Sequence, residues 1–523
     1  MLLLSLPPEI LTQIFLNLEW HDLLRAQSIC KAVGKLCSST ALQYHLLLGI
    51  AGYEDVSNHP MPISQRLELL KKVEFSFNYA NFGQKERFSF EGGPISSHDL
   101  QDGIYIQGRR GRHQNETIRA DVHQLPSSFS DINDSRSWKL PNFEKPIQNL
   151  TLDPKQDLLI LIEDISEEHQ RVLLHFKSLT TGEPHPLSSG SYVAQTKPGV
   201  STDSGSIIAV MGPFVGLLCD YQIYTICNWK TGKTHMELST TPDDEIDSFF
   251  FLDYDQVGLI RGQRSPAEIE MCKFGTCDDI PQSTELVAKY LLPFDGRLRY
   301  LRVICRSDPP PMTTIGTSTA LGSNLAYSNP PFVPRMEDRI IVMNISLSGD
   351  EIGIQSYPIV IRGETLMTIP EGAKYTDGTY LIPSELWMHQ TFSEPTLFNR
   401  ANYACFVYGS RLVKMTEDPI FGVTFLDFNP RLVAWAKAKG CNTTPYADGC
   451  DKPFNRWILE SVEPSDRATW GERTSKRSVI ATRFVTERLR VEAWEAFSAM
   501  LDGERFIAIY VGLIPLANSA LMY

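Results

Sequence analysis

The sequence predicts a chain in two unequal parts, a small helical head (α) and a large all-β body with the character of a β-propeller of about six or seven blades. Three observations carry that reading. Up to about residue 72 the apolar residues recur at helical spacing, beyond about Phe75 they fall into short β-rich runs broken by Gly, Pro, Asn and Asp, and several of those runs repeat with a step of 50 residues. A step of roughly 40 to 50 residues with several strands in each is what stacked blades produce, because no blade can bury both its faces alone. At 523 residues the chain is too long for one ordinary core, which agrees with more than one domain.

The head can be built residue by residue. Pro7 and Pro8 have no backbone N–H and a fixed φ, which suits a first helical turn, with Ser5 or Leu6 just outside it. Ile10, Leu11, Ile14, Phe15 and Leu18 then form one broad apolar stripe. Asp22 reads as the N-cap of a second helix opening at Leu23-Leu24, since a carboxylate there accepts from unpaired backbone donors. Ile29, Val33 and Leu36 continue the pattern into a third helix, and Leu42, Leu46 and Leu47 into a fourth. Fewer than 50 residues in short helices cannot bury all these side chains among themselves. A partner is expected, either the following domain, which periodicity alone favours, or another protein.

The order and spacing resemble an F-box. The residues concerned are Leu6-Pro7-Pro8-Glu9-Ile10-Leu11, then Ile14-Phe15-Leu16 and Leu18, Asp22-Leu23-Leu24-Arg25, Ile29-Cys30-Lys31 and Leu36. The resemblance implies a docking element for the Skp-type adaptor of a cullin-RING ubiquitin ligase. Its adaptor-binding residues would be Leu6, Pro7, Pro8, Glu9, Ile10, Leu11, Ile14, Leu18, Leu23, Leu24, Ile29, Cys30 and Lys31. Two positions depart from the family: Val33 stands where many members carry Trp, and Gly34 follows inside a helix, where glycine costs about 1 kcal/mol relative to alanine.

Residues 49–62 have loop composition, and Ser64 can cap a helix over residues 65–72 with Leu67 and Leu70 on one side. The expected division is therefore a docking head over 1–50, a helical linker over 51–80 and a propeller-like body over 81–523. Within the body Asp153, Asp203 and Asp253 precede the candidate strands 158–162, 207–210 and 257–260. A second marker keeps the same step, Thr180-Thr181-Gly182 against Lys230-Thr231-Gly232, and Asp427 opens a later echo. Turn chemistry explains these residues better than ligand contact does, because Asp bonds its own backbone and Gly supplies positive φ. Later candidate strands cover 300–305, 339–345, 359–361, 404–408, 421–426, 457–462, 479–484, 489–494 and 506–513. The six prolines of residues 306–335 read as a long surface loop, and the polar residues 463–478 as a shorter one.

Composition narrows the function classes. A net charge of -13 speaks against a general nucleic-acid or anionic-membrane binder, which needs a basic field. The one basic knot, Arg109-Arg110-Gly111-Arg112, reads first as a solvated loop. No apolar run reaches the 18 or more residues of a membrane-spanning helix, and the opening Met1-Leu2-Leu3-Leu4 lacks the basic start of a secretory signal, so the expected location is inside the cell, in cytoplasm or nucleus. Ten cysteines without a CxxC pair, and eleven scattered histidines, predict buried thiols and no metal or other cofactor.

P-loop and HExxH motifs are absent, and Gly316-Thr317-Ser318-Thr319-Ala320 lies in the proline-rich loop, far from a strand-to-helix elbow. The expectation is a non-catalytic protein whose body holds an unidentified protein substrate. The alternatives are a scaffold or regulator without ubiquitin transfer and, more remotely, a small-molecule-binding or hydrolytic propeller with acids or histidines converging on its channel. Further segments, among them Leu42-Gln43-Tyr44, Gly52-Tyr53-Glu54-Asp55, Gly182-Glu183-Pro184-His185-Pro186-Leu187 and Asp427-Phe428-Asn429-Pro430-Arg431, resemble the expanded F-box proteins of mushroom-forming fungi nearly end to end. The Gly-His and Trp-Asp pairs of true WD repeats are absent, so the body is only WD-like.

Overall fold

A computed structural model describes residues 5–56, 58–79, 86–90, 95–111, 117–129, 135–164, 171–195, 206–264, 266–276, 284–293, 299–310, 330–349, 353–392, 406–416, 422–432, 434, 457–461, 479–485, 495–511 and 518–522. The chain opens with four helices, α1 (Pro8–Leu16), α2 (Trp20–Gln27), α3 (Lys31–Cys37) and α4 (Thr40–Ala51). Pro8 occupies the first turn of α1, after Pro7 in extended geometry. Leu11, Phe15, Leu23, Ala26, Val33, Cys37, Leu42 and Leu46 close into a core of their own. Val33 is thus a core residue of the head.

Two local expectations are corrected. Helix α2 starts at Trp20, with Glu19 as its extended N-cap, so Asp22 is not the cap. It lies in the first turn, where its charge still suits the positive helix end and pairs with Arg25 at 3.1 Å. The earlier start places Trp20 on the helix, against Gly49 of α4, where an added Cβ would come within 2.3 Å of the Trp20 Cβ. Gly34, read from sequence as a weak point of α3, also has a packing reason. A Cβ there would stand 3.2 Å from the carbonyl of Gln27.

Helix α4 is apolar on every side because it serves two cores. Leu42 and Leu46 belong to the head, while Tyr44, Leu48 and Ala51 belong to the body. Next come β1 (Tyr53–Asp55) and α5 (Ile63–Tyr79), which outruns the expected 65–72 because Val73 and Phe77 find partners in the body core. Residues 51–79 are therefore packed along the body and do not hang as a free tether.

The body is a succession of antiparallel sheets. Strand β2 (Glu86–Phe90) comes first, and then the first sheet runs β3 (Ile95–Gln101), β4 (Ile104–Arg110), β5 (Thr117–Gln124), β6 (Arg136–Lys139). The second is β7 (Asn149–Asp153), β8 (Leu158–Asp164), β9 (Arg171–Ser178), β10 (Tyr192–Gln195). The third is β11 (Ser206–Met211), β12 (Phe214–Cys219), β13 (Ile223–Asn228), β14 (Thr234–Ser239). The fourth begins β15 (Ser248–Asp253), β16 (Gln256–Arg261), β17 (Glu268–Lys273), β18 (Glu285–Leu291).

The fifth sheet comprises β19 (Arg299–Arg306), β21 (Ile340–Gly349) and β22 (Gly353–Arg362), while the short β20 (Phe332–Pro334) pairs with β1. After α6 (Gly363–Met367), β23 (Lys374–Thr376) and β24 (Thr379–Ile382) turn back to extend the fourth sheet, with β24 parallel to β18. Helix α7 (Ser384–Trp387) leads to the sixth sheet, β25 (Val407–Tyr408), β26 (Arg411–Thr416), β27 (Gly422–Asp427), β28 (Trp457–Ser461) and β29 (Val479–Val485). The seventh holds β30 (Glu495–Leu501), β31 (Phe506–Val511), β32 (Asn518–Met522) and, paired with β32, the early strand β2.

The architecture is thus a helical F-box-like head followed by propeller-like sheets. Apolar side chains fill the gaps between successive sheets: Ile104 and Ile106 meet Leu159 and Leu161, Val215 and Leu217 meet Ile160, Phe249 and Leu259 meet Ile226, and Val303 and Met343 meet Ile269. First and last sheets also touch, since Arg505 Nε donates to the Pro126 carbonyl at 2.9 Å and Glu504 accepts from the Ser128 amide at 2.9 Å.

The repeat markers behave unequally. Gly182 and Gly232 both follow the third strand of their sheets, have φ near 76° and 72°, and donate to Ser178 and Asn228 at 2.7 and 2.8 Å. They share one structural position. Asp153 and Asp253 likewise end first strands, at the turn to the second, but Asp203 lies outside the described residues and precedes the first strand β11. The sheets start at Asn149, Ser206 and Ser248, so the steps between their first strands are unequal.

Among the described cysteines Cys37, Cys219, Cys227, Cys272 and Cys305 are buried free thiols and Cys30 is half-buried. The basic knot is corrected as well: Arg109 and Arg110 lie in β4, and Arg109 is buried with Nη2 2.7 Å from Asp121, because its turn of the strand faces inward. Residues 311–329 of the proline-rich loop, including Gly316 to Ala320, lie outside the described residues, as do 463–478 and the expected strand 489–494. No described helix is long and apolar enough to cross a membrane.

Candidate docking surface

The head divides the thirteen expected adaptor-binding residues by the way helices must pack. On α1 the side chains one turn apart, Leu11 and Phe15, face inward, which leaves Ile10 and Ile14 on the outer side. On α2 Leu23 is the inward residue and Leu24 the outward one. Ile29 is 73% exposed, Ile10 49%, Leu24 41%, Ile14 39% and Leu6 37%, against 7% for Leu11 and 0% for Leu23. Pro7, Pro8, Glu9 and Lys31 are exposed, and Leu18 and Cys30 half-buried.

Five exposed aliphatic side chains within 24 residues are a high density for a surface, where isolated apolar residues are ordinary but grouped ones mark an interaction site. Leu11 and Leu23 contribute from within, in the core that packs α1 and α2 on α3 and α4. The same helices also carry the charged Glu9, Lys31, Asp22 and Arg25, the last two paired at 3.1 Å. A surface of this kind can recognise an apolar groove. Ile63 and Phe75 of α5 are also exposed and were not expected, since Phe75 falls off the stripe of Leu70, Val73 and Phe77 that marks the buried side.

In the body, carboxylates do gather where first strands end. Each has a structural task. Asp99 accepts from Thr151 Oγ1 at 2.8 Å, Asp102 pairs with Lys155 at 3.1 Å, Asp153 accepts from the Lys155 amide at 3.1 Å, and Asp253 from the Tyr254 amide at 2.7 Å. Burial pushes the Asp308 carboxyl up to about 6, with Arg306 opposing the rise. Burial holds the His98 imidazole down to about 4, so it is neutral at pH 7. Among the described residues no three His, Cys, Asp or Glu side chains are placed to hold a metal ion.

A family model described as F-box-like matches residues 3–48, the span that forms α1 to α4. Among solved structures the chain is similar to the WD40 domain of a coronin from Toxoplasma gondii, at 7% sequence identity over 84% of this chain and 85% of that one, with a TM-score of 0.34. No curated protein matches the chain.

Proposed function

We propose that the protein is the substrate-recognition subunit of a Skp-cullin-F-box ubiquitin ligase, docking a Skp-type adaptor through its head and a protein target through its body. The observation that carries this reading is the coincidence of the F-box-like match over residues 3–48 with the outward apolar group Leu6, Ile10, Ile14, Leu24 and Ile29. F-box domains generally bind Skp-type adaptors. An apolar patch is what such a contact requires, and a standard interface of roughly 1,600 Å² would cover it. The contribution to ubiquitin transfer is proximity: the target is held near a charged enzyme, and no side chain of this chain takes part in the chemistry. The finer resemblance, to the expanded group of mushroom-forming fungi, rests on the sequence segments quoted above. The division into head, residues 51–80 and body is part of the same proposal.

The test is a pull-down of the full chain with a Skp-type adaptor, comparing wild type with Ile14→Asp plus Leu24→Asp. Both positions are exposed, so the double variant keeps its fold and loses the adaptor. Undiminished capture by the folded variant removes the surface. The same variant separates a ligase receptor from a pure scaffold, because only a receptor's partner gains half-life when docking is lost. Deleting residues 1–50 is a poorer tool, since it strips Tyr44 and Leu48 from the body core.

A further inference from the structure

Two arginines of the sixth sheet reach from the body into the helices. Arg411, first residue of β26, is buried and donates Nη2 to Glu74 of α5 at 2.7 Å, Nη1 to the Tyr53 hydroxyl of β1 at 3.0 Å and Nε to Asp427 of β27 at 3.0 Å. Its guanidinium carbon stands 4.4 Å from the centre of the Phe77 ring of α5. Arg431, just past β27, pairs with Asp338 at 2.6 Å and lies 5.3 Å over the Trp20 ring of α2. Two residues earlier, Asn429 donates to the Ile50 carbonyl of α4 at 2.9 Å. A planar guanidinium with several fixed donors suits such multiple contacts.

Beneath these polar links, α4 joins the head core on one side to a core containing Ile340, Val342, Leu412, Val413 and Leu426 on the other. We infer that the head, α5 and the fifth and sixth sheets form one cooperative unit, coupled through α4 and clamped by Arg411 and Arg431. Opening the head pulls Tyr44 and Leu48 of α4 out of the body core and Trp20 away from Arg431, and parting α5 from the sixth sheet leaves Glu74 and Asp427 without the cation they share in the interior, a far greater loss than parting an exposed pair. Opening the head alone is therefore disfavoured against opening it together with these two sheets. One consequence rests on the function proposed above: an adaptor bound to the head adds stability to the body's flank.

Hydrogen exchange on the full chain tests the coupling without any partner. Leu23→Ala perturbs the head core, which shares no residue with the body core. The expected result is exchange faster by at least about thirtyfold in α2 to α4 and also in β21 and β26, with less than about twofold change in β8 and β12 of the second and third sheets. If Leu23→Ala fails to fold, Leu23→Val makes the same comparison with a smaller cavity. Faster exchange confined to α1 through α4 overturns the inference. Adding Arg431→Ala to the Leu23 variant should reduce the spread into β26; equal spread removes Arg431 from the clamp. Adaptor failure with the spread intact strikes the proposed function alone.

Discussion

Gly49→Ala tests the close crossing of α2 and α4 in the head. A Cβ at residue 49 would lie 2.3 Å from Trp20 Cβ, 2.5 Å from its Cγ and 2.7 Å from its Cδ1. Carbon atoms rest at about 3.5 to 4.0 Å and turning the indole leaves Cβ where it is, so α2 and α4 must part by roughly 1 Å. Overpacking costs about 1 to 3 kcal/mol, here about 2 to 3 kcal/mol because neither Cβ can rotate away, and alanine's better helix propensity returns about 1 kcal/mol. The net expectation is a loss of about 1 to 2 kcal/mol, seen as exchange of α2 and α4 amides faster by about five- to thirtyfold in the full chain. Gly34→Ala is the matched control: its nearest obstacle is the Gln27 carbonyl at 3.2 Å, so propensity nearly offsets the contact and stability stays close to wild type. Exchange in Gly49→Ala at or below the wild-type rate would show that the crossing is loose and refute the reasoning.

Asp247 is buried, and burial raises its carboxyl to about 6 although the Gly262 amide donates to it at 2.7 Å. An acid raised above its unfolded value of about 3.9 stabilises the fold below pH 4 and loses that contribution as pH climbs through 6, at about 1.4 kcal/mol per pH unit. Asp247→Asn should therefore be more stable than wild type by about 1 to 2 kcal/mol at pH 7.5, after allowing for a weaker hydrogen bond, and no more stable at pH 4. Chemical denaturation at the two pH values decides, and a pH-independent difference counts against the assignment. Gly182→Ala should cost at least about 1 kcal/mol, because residue 182 has φ near 76° and an added Cβ would meet Pro141 Cδ at 2.7 Å. Faster exchange of the Gly182 amide and its neighbours is the check, and no change would mean the turn can take another form.

How much of this was legible beforehand depends on where each constraint acts. Helix starts at proline, the apolar stripes of α1 and α2, and the turn glycines 182 and 232 are local, and the spacing alone located them. Asp22 was misjudged because α2 begins at Trp20, which packs against Gly49 of α4, and periodicity does not represent that neighbour. Arg109 looked solvated because basic residues usually are, and only the register of β4 against β5 turned it toward Asp121.

The candidate docking residues divide along the same line. Sequence could mark thirteen of them, but inward and outward differ by one residue on a helix, Leu23 against Leu24 and Ile10 against Leu11, and a rotation of about 100° per residue is settled only by what the helix packs upon. The sequence by itself determined the helical head, its F-box spacing and a body of repeated β units, because those follow from short-range periodicity. Tertiary structure alone decided that α4 carries two cores, that β1 pairs with β20 some 280 residues away, that Arg411 ties α5 to the sixth sheet and that Arg431 reaches Trp20 of the head. Contacts between residues so distant in the chain depend on relative positions in space, and no local pattern encodes them.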